Sequence, residues 1–264
     1  MKKLLFILLS ISVFAQNDFS SLKGKKFYYY GDSITFGYGF PANSEIYPKI
    51  VTDYYGGVLI NRATSSTTMM KQVPIDVGAK YNMETLSETL PIFNPNTDGI
   101  LFISFLTNDV GLYFPNYTLE NYGKAIDVII VNAYKKGWRK ERLKFNIRYF
   151  ITEKGVNYVG LGAVPKSANL IRYNEFADLL KSKLNKYGIQ YFDHWESLSK
   201  VDNPVSHLDI PQRHPDLYMH RIIADDIIKD LYIEKIKNVK YYNLFAEKMR
   251  LIKRNISTKN YKNR

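Results

Sequence analysis

Ser33, Asn108 and His214 are the residues whose types and settings could do chemistry together. Ser33 closes Gly31-Asp32-Ser33, directly after the aromatic run Phe27-Tyr28-Tyr29-Tyr30. Large rings in succession fit a strand enclosed on both faces. A serine just past the end of a parallel strand lies where open α/β sheets place their active sites. A helix starting within the next few residues would bring free N–H groups close to that hydroxyl, a setting that suits a nucleophile with an oxyanion forming beside it. The plain alternative is a Ser/Asp turn closing an ordinary strand. His214 precedes Pro215. An imidazole titrates near neutral pH, so it can accept a serine proton and return it to a leaving alcohol; otherwise this histidine belongs to a loop or a first helical turn. Asn108 ends an apolar run, where an amide is costly to leave unpaired, and it could equally cap a turn.

The elements that would position these side chains alternate along the chain. Strands are expected at Lys26–Tyr30, Val58–Ile60, Gly99–Phe105, Leu143–Ile151 and Ile189–Phe192. Gly99–Phe105 is the clearest buried run. Helices are expected at Ile46–Tyr55, which stops at Gly56-Gly57, at Leu119–Lys135 before Gly137, and at Asn169–Lys186 before Gly188. Further helical stretches are read over Met69–Gly78 and Glu84–Phe93, and a last helix opens at His214-Pro215 and runs to about Tyr232. Gly155–Ser167 reads as loop at a substrate rim, and Ser197–Arg213 as irregular. Strands alternating with helices imply an α/β fold, a three-layer α/β/α sandwich around a parallel sheet of about five strands. One domain over residues 24–232 fits.

At the N-terminus, Lys2-Lys3 precedes the apolar run Leu4–Phe14, and Val13 and Ala15 are the small residues that a signal peptidase needs. The run is too short to span a bilayer comfortably. Residues 1–15 are therefore expected to be a cleaved signal peptide, with 16–23 a polar lead-in and a secreted or periplasmic destination. The chain has no cysteine, which excludes disulfides, a thiol nucleophile and cysteine-based zinc sites. Its formal net charge of +12 is concentrated in residues 234–264, where seven Lys and three Arg face Glu234 and Glu247. A basic, partly helical extension over 233–264 on an exported chain points to an anionic envelope surface rather than nucleic acid, or to a solvated helix. His194, His207, His214 and His220 with Asp193, Asp209 and Asp216 match no compact metal-ligand spacing, so no metal is expected.

Four stretches taken together resemble the SGNH, or GDSL-type, esterase/lipase family. Gly31-Asp32-Ser33-Ile34 resembles its first block, Asn61–Thr68 its second, Thr107-Asn108-Asp109 its third and His214-Pro215 its last. They occur in the family's order and span about residues 24 to 232. The resemblance implies an SGNH/flavodoxin-like fold and a serine esterase without a cofactor. Ser33 would be the nucleophile and His214 the base. The Ser33 and Ser66 backbone N–H groups and the Asn108 amide would form the oxyanion hole. With an exported location it suggests removal of short acyl groups, such as acetyl, from glycans, lipid and thioester substrates staying open.

Three positions depart from the family pattern. Ser66 and Leu106 stand where the family generally has glycine. Pro211 stands where it usually has the triad aspartate, three residues before the histidine. The nearest upstream carboxylate is Asp209, which leaves Asp209 as the acid, a Ser–His dyad, or Asp216. These departures also leave open a non-catalytic, glycan-binding version of the domain.

Overall fold

The computed structural model describes residues 22–71, 82–111, 118–147, 149, 166–208 and 214–231. The chain divides into two compact units. One is Leu22–Ile227, and the other joins Met1–Ser21 with Ile228–Arg264. The expected signal peptide and the basic extension lie outside the described residues.

In chain order the described elements are β1 (Lys26–Gly31), α1 (Ser33–Phe36), α2 (Tyr47–Tyr54), β2 (Val58–Asn61), α3 (Met83–Leu86), β3 (Asp98–Ser104) and α4 (Thr107–Gly111). They continue with α5 (Leu119–Lys135), β4 (Leu143–Asn146), α6 (Lys166–Tyr187), β5 (Tyr191–Phe192) and α7 (Trp195–Ser199), and with α8 over 217–231. The five strands form one parallel sheet in the order β2-β1-β3-β4-β5. From β1 the chain goes outward to β2, then crosses back to the other side for β3. The switch point is thus between β1 and β3, and the crevice beyond their C-terminal ends is where such sheets bind ligands.

Alternation along β1 builds the three layers. Tyr28 and Tyr30 face the layer of α5 and α6 and share a core with Leu101, Ile103, Ile126, Ile130, Tyr173 and Phe176. Phe27 and Tyr29 point the other way, where Tyr29 stacks on Phe102 with centroids 4.7 Å apart and meets the edge of Tyr47 from α2. Each fully buried large apolar side chain contributes on the order of 1.5–3 kcal/mol. With both faces covered, the strand reads as an unbroken aromatic run instead of an alternating one. Among the described residues no helix is long and apolar enough to cross a membrane.

Several element boundaries differ from the sequence expectation, each for a local reason. Residues 69–71 are not helical, since the Met69 and Met70 amides are turned to the Asp109 carboxylate; 72–78 lie outside the described residues. The expected helix Glu84–Phe93 ends early, as α3 plus a 3-10 turn at Ser87–Thr89. Leu90 precedes Pro91 and is forced to an extended ψ of 143°. β4 stops at Asn146, where its two-residue partner β5 ends. α6 starts at Lys166, just after Pro165, so Lys166 and Ser167 are helix and not loop. The stretch expected to be irregular from Ser197 carries the end of α7 and a 3-10 turn, Pro204–His207.

Candidate active site

The turn after β1 is built by close approach. An added Cβ at Gly31 would lie 2.2 Å from Thr35 Oγ1 and 2.9 Å from the Ser104 carbonyl, so only glycine fits there. Asp32 caps α1, its Oδ1 accepting from the Ile34 N–H at 3.0 Å. Gly37, at φ 82°, ends the single turn. The N–H groups of Gly37 and Tyr38 both donate to the Ser33 carbonyl, at 3.0 and 2.9 Å. The Ser33 carbonyl is therefore fixed by the residues that end the turn.

Although 181 residues separate them, His214 Nε2 lies 2.8 Å from Ser33 Oγ. In that geometry the imidazole can take the hydroxyl proton as the oxygen attacks. The Tyr38 ring covers the imidazole with centroids 4.9 Å apart. Asp209 lies outside the described residues. Asp216 serves as the cap of α8, where its Oδ1 accepts from the Met219 N–H at 3.0 Å and its Oδ2 faces His207 Nδ1 at 2.7 Å.

The loop after β2 is laced to the turns that follow β1 and β3. Thr64 N–H donates to the Gly31 carbonyl, Asn61 Nδ2 to the Thr35 carbonyl, and Asn108 Nδ2 to the Thr67 carbonyl at 2.9 Å. An amide nitrogen carries two hydrogens; among the described residues no partner takes Asn108's second. Ser66 has φ 65° and Leu106 has φ 156°. Both residues, one after β2 and one after β3, thus hold a backbone conformation that glycine adopts most readily.

Two buried carboxyls sit under the site. Burial pushes Asp32 up to about 7, opposed by hydrogen bonds from backbone N–H groups. Burial likewise pushes Asp109 to about 7, against the N–H groups of Met69 and Met70, with the nearby Asp32 charge adding to the rise. Asp32 Oδ2 has no hydrogen-bond partner among the described residues.

Sequence reasoning gave no role to Tyr47, the centre of a buried polar cluster. Its hydroxyl meets Thr35 Oγ1 at 2.8 Å, Ser104 Oγ at 3.0 Å, Tyr149 OH at 3.3 Å and Asn146 Nδ2 at 3.4 Å. That cluster ties α1 to the ends of β3 and β4. His194, between β5 and α7, has a structural place of its own. It is fully buried, with Nδ1 3.1 Å from Asp226 and Nε2 3.4 Å from Asn146. His220 is buried too, its pKa lowered by burial to about 3, and its Nδ1 accepts from the Tyr47 N–H. Among the described residues no group of three His, Asp or Glu side chains could hold a metal ion.

No protein-family model matches the chain, and no curated protein matches it by sequence. Solved structures do match. A lipase/acylhydrolase from Enterococcus faecalis aligns over 78% of this chain and 95% of its own, at 16% identity and a TM-score of 0.54. A member of the lipolytic G-D-S-L family from Veillonella parvula aligns over 78% and 97%, at 18% identity and a TM-score of 0.57. An acetyl xylan esterase variant from Geobacillus stearothermophilus aligns over 79% and 95%, at 14% identity and a TM-score of 0.55. The chain has the fold of the lipolytic G-D-S-L structures.

Proposed function

We propose that this protein is a serine esterase of the SGNH type, acting on carboxylic esters and most directly on short acyl groups, acetyl above all, carried by glycans. The hydrogen bond between Ser33 Oγ and His214 Nε2 at the β1–β3 switch point carries the reading. Ser33 Oγ attacks the ester carbonyl as His214 takes its proton. The negative charge developing on the carbonyl oxygen is met by the Ser33 and Ser66 backbone N–H groups and the Asn108 amide. His214 then passes its proton to the leaving alcohol, which departs with the bonding pair and leaves an acyl-Ser33. Water, deprotonated by the same imidazole, attacks the acyl carbon and releases the carboxylic acid and free Ser33.

The third member of the site is Asp209 in this reading, with a Ser33–His214 dyad as the other arrangement. The reaction uses no cofactor. A catalytically idle, glycan-binding version is less favoured, because Ser66 and Leu106 keep positive φ without glycine. The N-terminal apolar run supports export, and the basic residues of 234–264 support contact with an anionic envelope surface. Salt-sensitive binding to anionic envelope material, lost on deleting 234–264, tests that contact.

The test of the reaction is hydrolysis of p-nitrophenyl acetate and of acetylated xylooligosaccharides, compared among wild type, Ser33→Ala and Asp209→Ala. Turnover that vanishes with Ser33 supports the reading, and the Asp209 variant separates triad from dyad. A folded wild type that binds acetylated glycans and turns over neither substrate moves the function to binding.

A further inference from the structure

Catalysis as proposed requires the His214 imidazole to stay within hydrogen-bond reach of Ser33. Next to His214, Pro215 pairs with Leu208 as an isolated antiparallel bridge. Beside that bridge, the Asp216 N–H donates to the His207 carbonyl at 2.8 Å. The side chains of the same two residues also pair, His207 Nδ1 lying 2.7 Å from Asp216 Oδ2. The other carboxylate oxygen accepts from the Met219 N–H at the start of α8. On the far side, the His207 ring rests against Tyr218 with centroids 4.9 Å apart.

Asp216 therefore joins the 3-10 turn Pro204–His207, the N-terminus of α8 and, through Pro215, His214. We infer that His207 and Asp216 are positioning residues, a clasp that holds the Leu208–Pro215 bridge in place and sets the His214 ring against Ser33. Both side chains are partly exposed, at 28% and 43%. A pair so exposed adds little to global stability, so the clasp's effect is on placement. Displacing a catalytic group by about 1 Å costs up to about 100-fold in rate. The inference rests on the esterase reading for its kinetic consequence, though its geometric content stands apart from it.

The experiment uses the full mature chain and His207→Ala, His207→Asn, Asp216→Ala and the double alanine variant. With p-nitrophenyl acetate, His207→Ala lowers kcat by about tenfold while KM stays within about twofold. His207→Asn places an amide donor near the Nδ1 position and restores kcat to within about threefold. The double variant is no slower than the slower single one, as expected of two residues acting as a unit. A His207→Ala enzyme with unchanged kcat overturns the clasp. So does a loss that the asparagine fails to rescue and that follows the melting temperature.

A second readout does not need turnover. The ring 15N resonances of the four histidines are recorded, and His214 is assigned by its shift in Ser33→Ala. The clasp requires His207→Ala to move or broaden the His214 signal as well. If the signal moves while wild type hydrolyses nothing, the clasp stands and the esterase reading falls. If it does not move, the clasp falls whatever the activity.

Discussion

Asn108 gives one amide hydrogen to the Thr67 carbonyl at 2.9 Å, so the turn after β3 and the loop after β2 act as one piece. In the proposed reaction that bond would aim the amide before any substrate arrives, as pre-aimed donors for a developing oxyanion require. Asn108→Ala is expected to lower kcat on p-nitrophenyl acetate by about 100- to 1000-fold, with KM little changed. Steady-state kinetics alongside a melting curve check this; a loss confined to stability would remove Asn108 from the oxyanion hole.

Ser66 and Leu106 both carry positive φ without glycine, but their side chains differ in what they return. Ser66 is exposed, so Ser66→Gly relieves backbone strain at no packing cost and stabilises by about 0.5–1 kcal/mol. Leu106 is 1% exposed, so Leu106→Gly forfeits a buried side chain and destabilises by about 2 kcal/mol. Urea denaturation of the two variants should move the midpoint in opposite directions.

The buried carboxyls make stability pH-dependent in a direction opposite to that of a salt-bridged aspartate. Asp32 titrates near 7 in the folded chain, above its ordinary value of 3.8. The folded state holds a proton that the unfolded state releases between about pH 4 and 7, so the contribution is complete below that window and lost as pH rises through about 7. Asp109 acts with the same sign. His220, lowered to about 3, acts with the opposite sign, its contribution being present above about 6.5 and lost as pH falls through about 3. Comparing a variant with its parent isolates one group. Asp32→Asn should gain on wild type in unfolding free energy as pH rises from 4 to 8; a gap that stays constant would contradict the burial argument.

Tyr47→Phe removes one hydroxyl and costs the buried Thr35, Ser104 and Tyr149 one hydrogen bond each, though Ser104 keeps the one from Asn146. Stranding buried polar groups costs about 1–3 kcal/mol. The variant should lose about that much unfolding free energy and melt earlier, and kcat should fall as well, since Thr35 lies in the turn that carries Ser33. Calorimetry and kinetics on the same preparation check both.

The strands were legible because burial on both faces leaves runs such as Phe27–Tyr30 and Gly99–Phe105, and α5 because its apolar stripe has helical spacing and a Thr118 cap. Ser33, Asn108 and His214 were legible as separate residues with suitable chemistry. Their approach was not, because the Ser33–His214 contact closes a loop of 181 residues that no local pattern encodes. The Tyr47 cluster stayed hidden for a related reason. A tyrosine at the start of an amphipathic helix reads as packing, and its hydrogen bonds become visible only once β3 and β4 end beside it. Asp216 stands in the sequence as a further candidate for the acid; its bond to His207 lies beside the antiparallel bridge of Leu208 and Pro215, which no local pattern encodes.

The central claim is that His214 activates Ser33. Its most direct test is mass-spectrometric mapping after reaction with an alkylphosphonate p-nitrophenyl ester, which labels an activated serine without turnover. The account predicts one adduct, on Ser33, formed at least about 1000-fold more slowly in His214→Ala. An unlabelled Ser33 in folded protein, or labelling at Ser33 that ignores the loss of His214, would contradict it.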